Sequence, residues 1–312
     1  MASNTYIDKN RLKQLSRRSN IAGVWLTLHC WGVIILAGAL FAIFPHPLTF
    51  IVAYIIICGR QLGMAILMHD AAHGVLFKNK AVNDFVGRYV LAFPIGLDNA
   101  SYRKYHLQHH LHTQQSDDPD LGLSAAFPTS RASLRRKFTR DMLGITAFKL
   151  RAAQIRMAFQ KQGKSEDIGD HGFEVPGIIG PLFLNGALLA ACALAGVWWL
   201  YFALWLLPLM TGFQLVLRIR NIAEHAMTSH DKDPLRHART TYAGLLERII
   251  VAPYWVHYHI EHHAYMYVPC WQLKALHREM LAAGHGKNME IRKTYLEVLR
   301  LAAPRGYQKT PA

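Results

Sequence analysis

Val175 to Leu217 is a run of 43 residues without one charged side chain. As a single helix it would be roughly 65 Å long at about 1.5 Å per residue, twice the hydrocarbon thickness of about 30 Å. It therefore reads as two crossings turning near Gly196, with Trp198, Trp199 and Tyr201 at the interface. A second pair precedes it. Ile21 to Phe44 carries no Asp, Glu, Lys or Arg, Pro45-His46-Pro47 breaks the helix, and Leu48 to Met68 is interrupted only by Arg60 and Gln61. Charged residues make up 18% of the chain, below the roughly 25% of soluble domains, which fits a membrane protein. Hydrophobic residues at 52% exclude a disordered chain. Four cysteines with no C-x-x-C pair exclude a disulfide scaffold, and Cys30, Cys58 and Cys192 in apolar runs read as inert thiols. Residues 1–20 are polar and basic and no A-x-A-like site follows, so no cleavable signal peptide is expected.

The expected architecture is all-α and integral to the membrane: four spans in two hairpins, about 21–44, 48–68, 175–196 and 198–219, under a cytoplasmic helical cap. Of the 35 Lys and Arg, 34 lie in residues 1–20, 69–174 and after Leu217, and the two outer turns hold none. Basic residues favour the cytoplasmic side, so both termini are expected inside. The expected parts are a basic N-terminus over 1–20, a membrane domain over 21–285 and a C-terminal tail over 286–312. Arg60 is costly in a span unless it is paired or hydrated; a structural reading, either a helix that continues beyond the bilayer or a bond to a neighbouring carbonyl, is preferred to a polar group near a substrate cavity. Leu134, Phe138, Met142, Ile145 and Phe148, interleaved with Arg135, Arg136, Lys137, Arg140, Lys149 and Arg151, read as one amphipathic helix. It would lie on anionic lipid or pack on the cap. The net charge of +15 then points to lipid or an acidic electron carrier as partner, not to nucleic acid.

Histidines carry the chemistry. His69-Asp70-Ala71-Ala72-His73 follows the second span, and Asn221-Ile222-Ala223-Glu224-His225 follows the fourth. Between and after them come His106-Leu107-Gln108-His109-His110 and His259-Ile260-Glu261-His262-His263. Residues three and four apart share a helix face, so each cluster aims its imidazoles at one point. Neutral imidazole binds Zn, Cu, Fe and Ni. Nine rings exceed one ion's coordination; two ions fit, with four or five His each and Asn221 contributing directly or through water. Ligating imidazoles usually donate their second N–H to a carboxylate or carbonyl, which makes Asp70, Asp118, Asp120, Glu224 and Glu261 candidate outer partners. His29, His46, His171, His230, His237 and His285 taken singly read as ordinary interfacial residues. His112, His257 and His277 stay outside the ligand set, His257 because it would face away from His259 on a helix.

The boxes HDAAH, HLQHH and HIEHH, in this order and on one expected side of the membrane, resemble the three histidine boxes of the membrane fatty acid desaturase family. NIAEH resembles the extra Asn/His contribution of acyl-CoA desaturases, with Asn221 and His225 in those places. The resemblance covers about residues 20–285. It implies a di-iron centre held by these ten residues in the cap, no catalytic residue beyond the metal ligands, and O2 as co-substrate. The implied reaction takes hydrogen from an unactivated C–H bond of a lipid, first of all desaturating an acyl chain carried as acyl-lipid or thioester. Hydroxylation or ketolation of a lipid, sphingoid base or carotenoid by a similar site is the alternative. The third box starts with His259, unlike front-end desaturases, and no H-P-G-G haem signature is present. Electrons are then expected from a separate ferredoxin or cytochrome b5-like protein. A bacterial inner membrane is expected before endoplasmic reticulum. A metal-handling membrane protein is the distant rival; it would place ligands along the spans near mid-bilayer, whereas the boxes sit at span ends.

Overall fold

The computed structural model describes residues 5–160 and 177–307. His171 and the expected start of the third span at Val175 lie outside the described residues.

The first hairpin is α2, Asn20–Ile43, and α3, Pro47–Ala72, preceded by the short α1, Lys9–Leu15. The Ser19 hydroxyl caps α2 by accepting the Ala22 N–H at 3.2 Å. His46 caps α3, its Nδ1 accepting from the Leu48 N–H at 3.2 Å, and Pro47 takes the first helical position, where its missing N–H costs nothing. α3 runs one turn past the expected end of the span, so His69 lies within the helix and His73 is its C-cap. On α2, Trp25, Leu28, Ile35, Leu36 and Ile43 are exposed, an apolar face that suits lipid.

The second hairpin departs from expectation. α9 covers Ile179–Leu194, 16 residues, shorter than the roughly 20 a full crossing needs. Gly196 turns the chain at φ +74°. The next helix runs Trp198–His225, through a π-turn at Tyr201–Leu206 and a break at Thr211, six residues beyond the expected end at Ile219. It continues past Arg218 and Arg220 because both are paired: Arg218 Nη2 lies 2.8 Å from Asp141 Oδ1, and Arg220 Nε 2.7 Å from Glu224 Oε1. Among the described residues three helices are therefore long and apolar enough to cross a membrane. A half-buried amide pins α9 to its neighbours: Asn185 Oδ1 accepts from Tyr201 Oη at 3.1 Å and Trp205 Nε1 at 3.2 Å, and its Nδ2 donates to Phe93 O at 3.1 Å.

The cap comprises α4, Lys80–Phe85, a π-turn at Val86–Ala92, α5, Asn99–His112, α6, Leu121–Ser124, α7, Arg131–Met142, and α8, Ile145–Gln160. The single amphipathic helix expected across 134–148 is two, α7 and α8. Gly144 at φ +72° ends the first, a conformation costly for any residue with a Cβ. Later cap segments are short: His259–Ala264, Leu273–Ala282, Tyr295–Ala302, and a parallel contact of Thr240–Thr241 with Ile291–Arg292. Segments on either side of residues 21–285 contribute to the core. Leu12 and Leu15 are buried and the Tyr6 N–H donates to Tyr265 Oη at 2.7 Å. Beyond residue 285, Tyr295, Val298 and Ala302 are buried in the same core.

Arg60 meets a carbonyl, one of the two structural readings: Nη2 donates to Ile249 O at 2.9 Å, and its guanidinium lies 5.2 Å from the Tyr254 ring. Gly59 permits this approach, since a Cβ there would stand 2.2 Å from Ile249 O. Gly59→Val should therefore destabilise the fold by about 1–3 kcal/mol through overpacking. A lower midpoint of thermal unfolding in detergent is the expected result.

Candidate metal centre

Side chains of α5 bond carbonyls in the last turns of α3. Arg103 Nε donates to Ala72 O at 2.7 Å, its Nη2 to Ala71 O at 3.0 Å, and Asn99 Nδ2 to Met68 O at 2.9 Å. Asp98 caps α5, accepting the Ala100 and Ser101 N–H groups at 3.1 and 3.0 Å. These bonds set His106, His109 and His110 against His69 and His73. The Trp198–His225 helix delivers His225 with its last residue, and the His259–Ala264 turn supplies the remaining three rings.

The rings form two adjoining groups. One nitrogen each of His69, His73, His106, His110 and His262 lie within 4.8 Å of one another. His110 Nε2 is 3.0 Å from His106 Nε2 and 2.9 Å from His262 Nε2. The second group holds His109, His225 and His263, likewise within 4.8 Å. His259 joins it, its Nε2 lying 2.8 Å from His225 Nε2 and 3.1 Å from His263 Nε2. The His110 and His263 rings, 4.4 Å between centroids, form the shared wall. All nine histidines singled out from sequence are thus brought together.

Nitrogens facing nitrogens at these distances suit a cation. Two donors about 2.1 Å from one ion, at a right angle, stand about 3 Å apart. Several nitrogens have no other use: both of His69 and Nε2 of His73 are buried without a hydrogen-bond partner. The outer bonds fix tautomers. His109 Nδ1 lies 2.8 Å from Asp118 Oδ1, and His225 Nδ1 3.2 Å from the His237 carbonyl. An oxygen acceptor requires N–H at each Nδ1, which leaves the Nε2 lone pair facing inward. Burial, then the charge neighbouring rings would carry, holds His106, His110, His259, His262 and His263 well below the usual imidazole range. Neutral rings are the metal-binding form. For His109 burial pushes the same way, but the Asp118 hydrogen bond and the nearby carboxylates outweigh it and raise the pKa.

The other sequence candidates divide. Asp118 is an outer partner as described. Asp120 stands 3.8 Å from His109 Nδ1 and accepts from Tyr105 Oη. Asp70 accepts the Cys270 N–H at 2.8 Å, 3.6 Å from His69 Nδ1, so its main bond anchors the chain after the third box. Glu261 bonds no ligand-set imidazole; it holds Thr240 Oγ1 and His277 Nδ1, each at 2.6 Å. His277 and Glu261 thereby brace the third box from behind. Asn221 lines a cavity of about 30 Å³ with His109, Glu224, His225 and His259. His257 precedes the short helix instead of lying on it.

His237 was missed. Both its nitrogens are buried without partners, its ring lies 5.4 Å from that of His263, and burial depresses its pKa to about 4. It stands twelve residues after His225, with no histidine three or four residues away to mark it. A larger cavity, about 480 Å³ and lined by Trp25, His29, Arg60, Arg248 and Tyr254, contains none of the nine rings. Arg60 precedes His69 by nine residues, about 13 Å along α3 and half a turn round it.

Buried imidazole groups at the ends of apolar helices define a membrane protein with a site able to hold two metal ions. Residues 44–295 match the fatty acid desaturase family, and the chain belongs to it. Among curated proteins it is 28% identical over 250 residues to a dihydrorhizobitoxine desaturase of Bradyrhizobium elkanii, covering 75% of this chain and 69% of that protein. A beta-carotene ketolase of Paracoccus sp. (strain PC1) is 23% identical over 251 residues, 80% of this chain and 86% of the ketolase. A zeaxanthin 4-ketolase of Chlamydomonas reinhardtii is 25% identical over 214 residues, 68% of this chain and 40% of that protein. These findings make the chain an oxidoreductase of the desaturase and ketolase kind.

Asp118→Asn keeps the shape and removes the charge behind His109. Outer partners of this type are worth about 10–100-fold in metal affinity. Chelator competition on the purified variant should show a loss in that range, with helical circular dichroism unchanged.

Proposed function

We propose that this protein uses O2 to oxidise an unactivated C–H bond in a lipid chain, and that desaturation of a fatty acyl chain is the reaction. The observation that carries the reading is the pair of adjoining imidazole groups at the membrane-helix ends. His69, His73, His106, His110 and His262 would hold one iron, and His109, His225, His259 and His263 the other. Iron held there supplies the oxidation of a C–H bond by O2. The chain's own part is to keep most of the rings neutral by burial, to fix the tautomers of His109 and His225 through Asp118 and the His237 carbonyl, and to exclude water. The skew of basic residues supports a cytoplasmic site and a separate electron donor. Arg131, Arg135, Arg136 and Arg140 stand exposed on α7, where an acidic ferredoxin or cytochrome b5-like carrier would dock.

Ketolation of a carotenoid is the second reading, supported by the ketolases among the relatives. Lipid and pigment extracts from cells expressing the protein or His262→Ala separate the two by mass spectrometry. A lipid lighter by two hydrogens, absent with the variant, is expected. A carotenoid that gains one oxygen and loses two hydrogens would replace the first reading by the second. Extracts identical for both proteins, across both lipid classes, would overturn the proposal. His262→Ala should also retain less iron, measured by elemental analysis.

A further inference from the structure

The two imidazole groups are unequal, five rings against four, and a carboxylate stands where the second is short. Outer partners approach ligand rings from behind, as Asp118 does at His109 Nδ1 and the His237 carbonyl at His225 Nδ1. Glu224 does not. Its Oε2 lies 3.6 Å from Nε2 of His259, the inward nitrogen that also faces His225 and His263. His259 Nδ1, the outward nitrogen, has no partner. Two donor atoms about 2.1 Å from one ion stand between about 3.0 Å apart at a right angle and about 4.2 Å when opposite. The Glu224–His259 separation falls inside that range. The Glu224 side chain is 4% exposed, and its other oxygen, Oε1, is held by Arg220 Nε at 2.7 Å, which orients the carboxylate and leaves Oε2 free toward the rings. Charge argues the same way: neutral imidazoles offer two divalent ions no negative charge, and a buried carboxylate facing them offers some.

Resting on the two-metal reading above, we infer that Glu224 is a direct ligand of the second metal, completing the set of His109, His225, His259 and His263. Arg220 positions it. Asn221 lines the same small cavity.

The test is metal binding by the whole purified chain in detergent, with cobalt(II) as probe. Wild type should take up two ions per chain, counted by elemental analysis. Glu224→Gln should keep one at wild-type affinity and lose at least about tenfold in affinity for the other by chelator competition, with a changed visible cobalt spectrum. Asn221→Ala should keep both. If Glu224→Gln fails to fold because Arg220 is left unpaired, the double variant Arg220→Met with Glu224→Gln removes both buried charges together and should show the same selective loss. Two ions at wild-type affinity with an unchanged spectrum, in either variant, would overturn the assignment of Glu224 and leave the two-metal reading intact. Fewer than two ions in wild type would instead sink the two-metal reading, and this assignment with it.

Discussion

Imidazole nitrogens that face one another at 2.8–3.2 Å are the constraint around which this molecule is arranged. A neutral imidazole has one donor and one acceptor. Where Nδ1 is spent on an outer oxygen, the Nε2 atoms meet acceptor to acceptor, an arrangement that repels unless a cation lies between them. The cap supplies the force that holds it. Arg103 and Asn99 lock α5 onto the C-terminal carbonyls of α3, and Asp98 fixes the start of α5. Asp70 ties the segment after the third box back to the first. The polar bonds that look peripheral to the site are the ones that keep it from opening.

The membrane helices serve the same end by length. α3 and the Trp198–His225 helix both run past the apolar stretch, so that their last turns present His69 and His225 to the cap. Continuation past Arg218 and Arg220 depends on Asp141 and Glu224, each from a position where an unpaired cation would otherwise end the helix or demand water. Glu224 thus links the stability of a helix end to the chemistry beside it.

Much of the site was legible because helical periodicity is local. H-x-x-x-H and H-x-x-H-H put their rings on one face whatever the tertiary fold, and hydropathy put those faces near one membrane surface. What was not legible depends on long-range contacts. Asp118 and Glu261 look alike in sequence, each an acid in or beside a box, yet one bonds a ring of the metal group and the other bonds His277. His237 gave no signal, since its nearest ring, His263, lies 26 residues away. The 134–148 pattern was continuous in hydrophobic period, and the break at Gly144 came from a backbone conformation that periodicity does not register.

The amino-acid sequence alone determined that the chain enters a membrane, that it is helical, and that histidines gather at helix ends, because apolar length and the 3.6-residue period are properties of a single segment. Only the tertiary structure decided how nine rings divide into groups of five and four, which acid stands behind a ring, and that Leu12 and Leu15 near one end and Tyr295, Val298 and Ala302 near the other join the core. Those outcomes are set by the direction of side chains across separations that run from 9 residues, for His109 and Asp118, to 152, for His110 and His262, and no helical period carries that information.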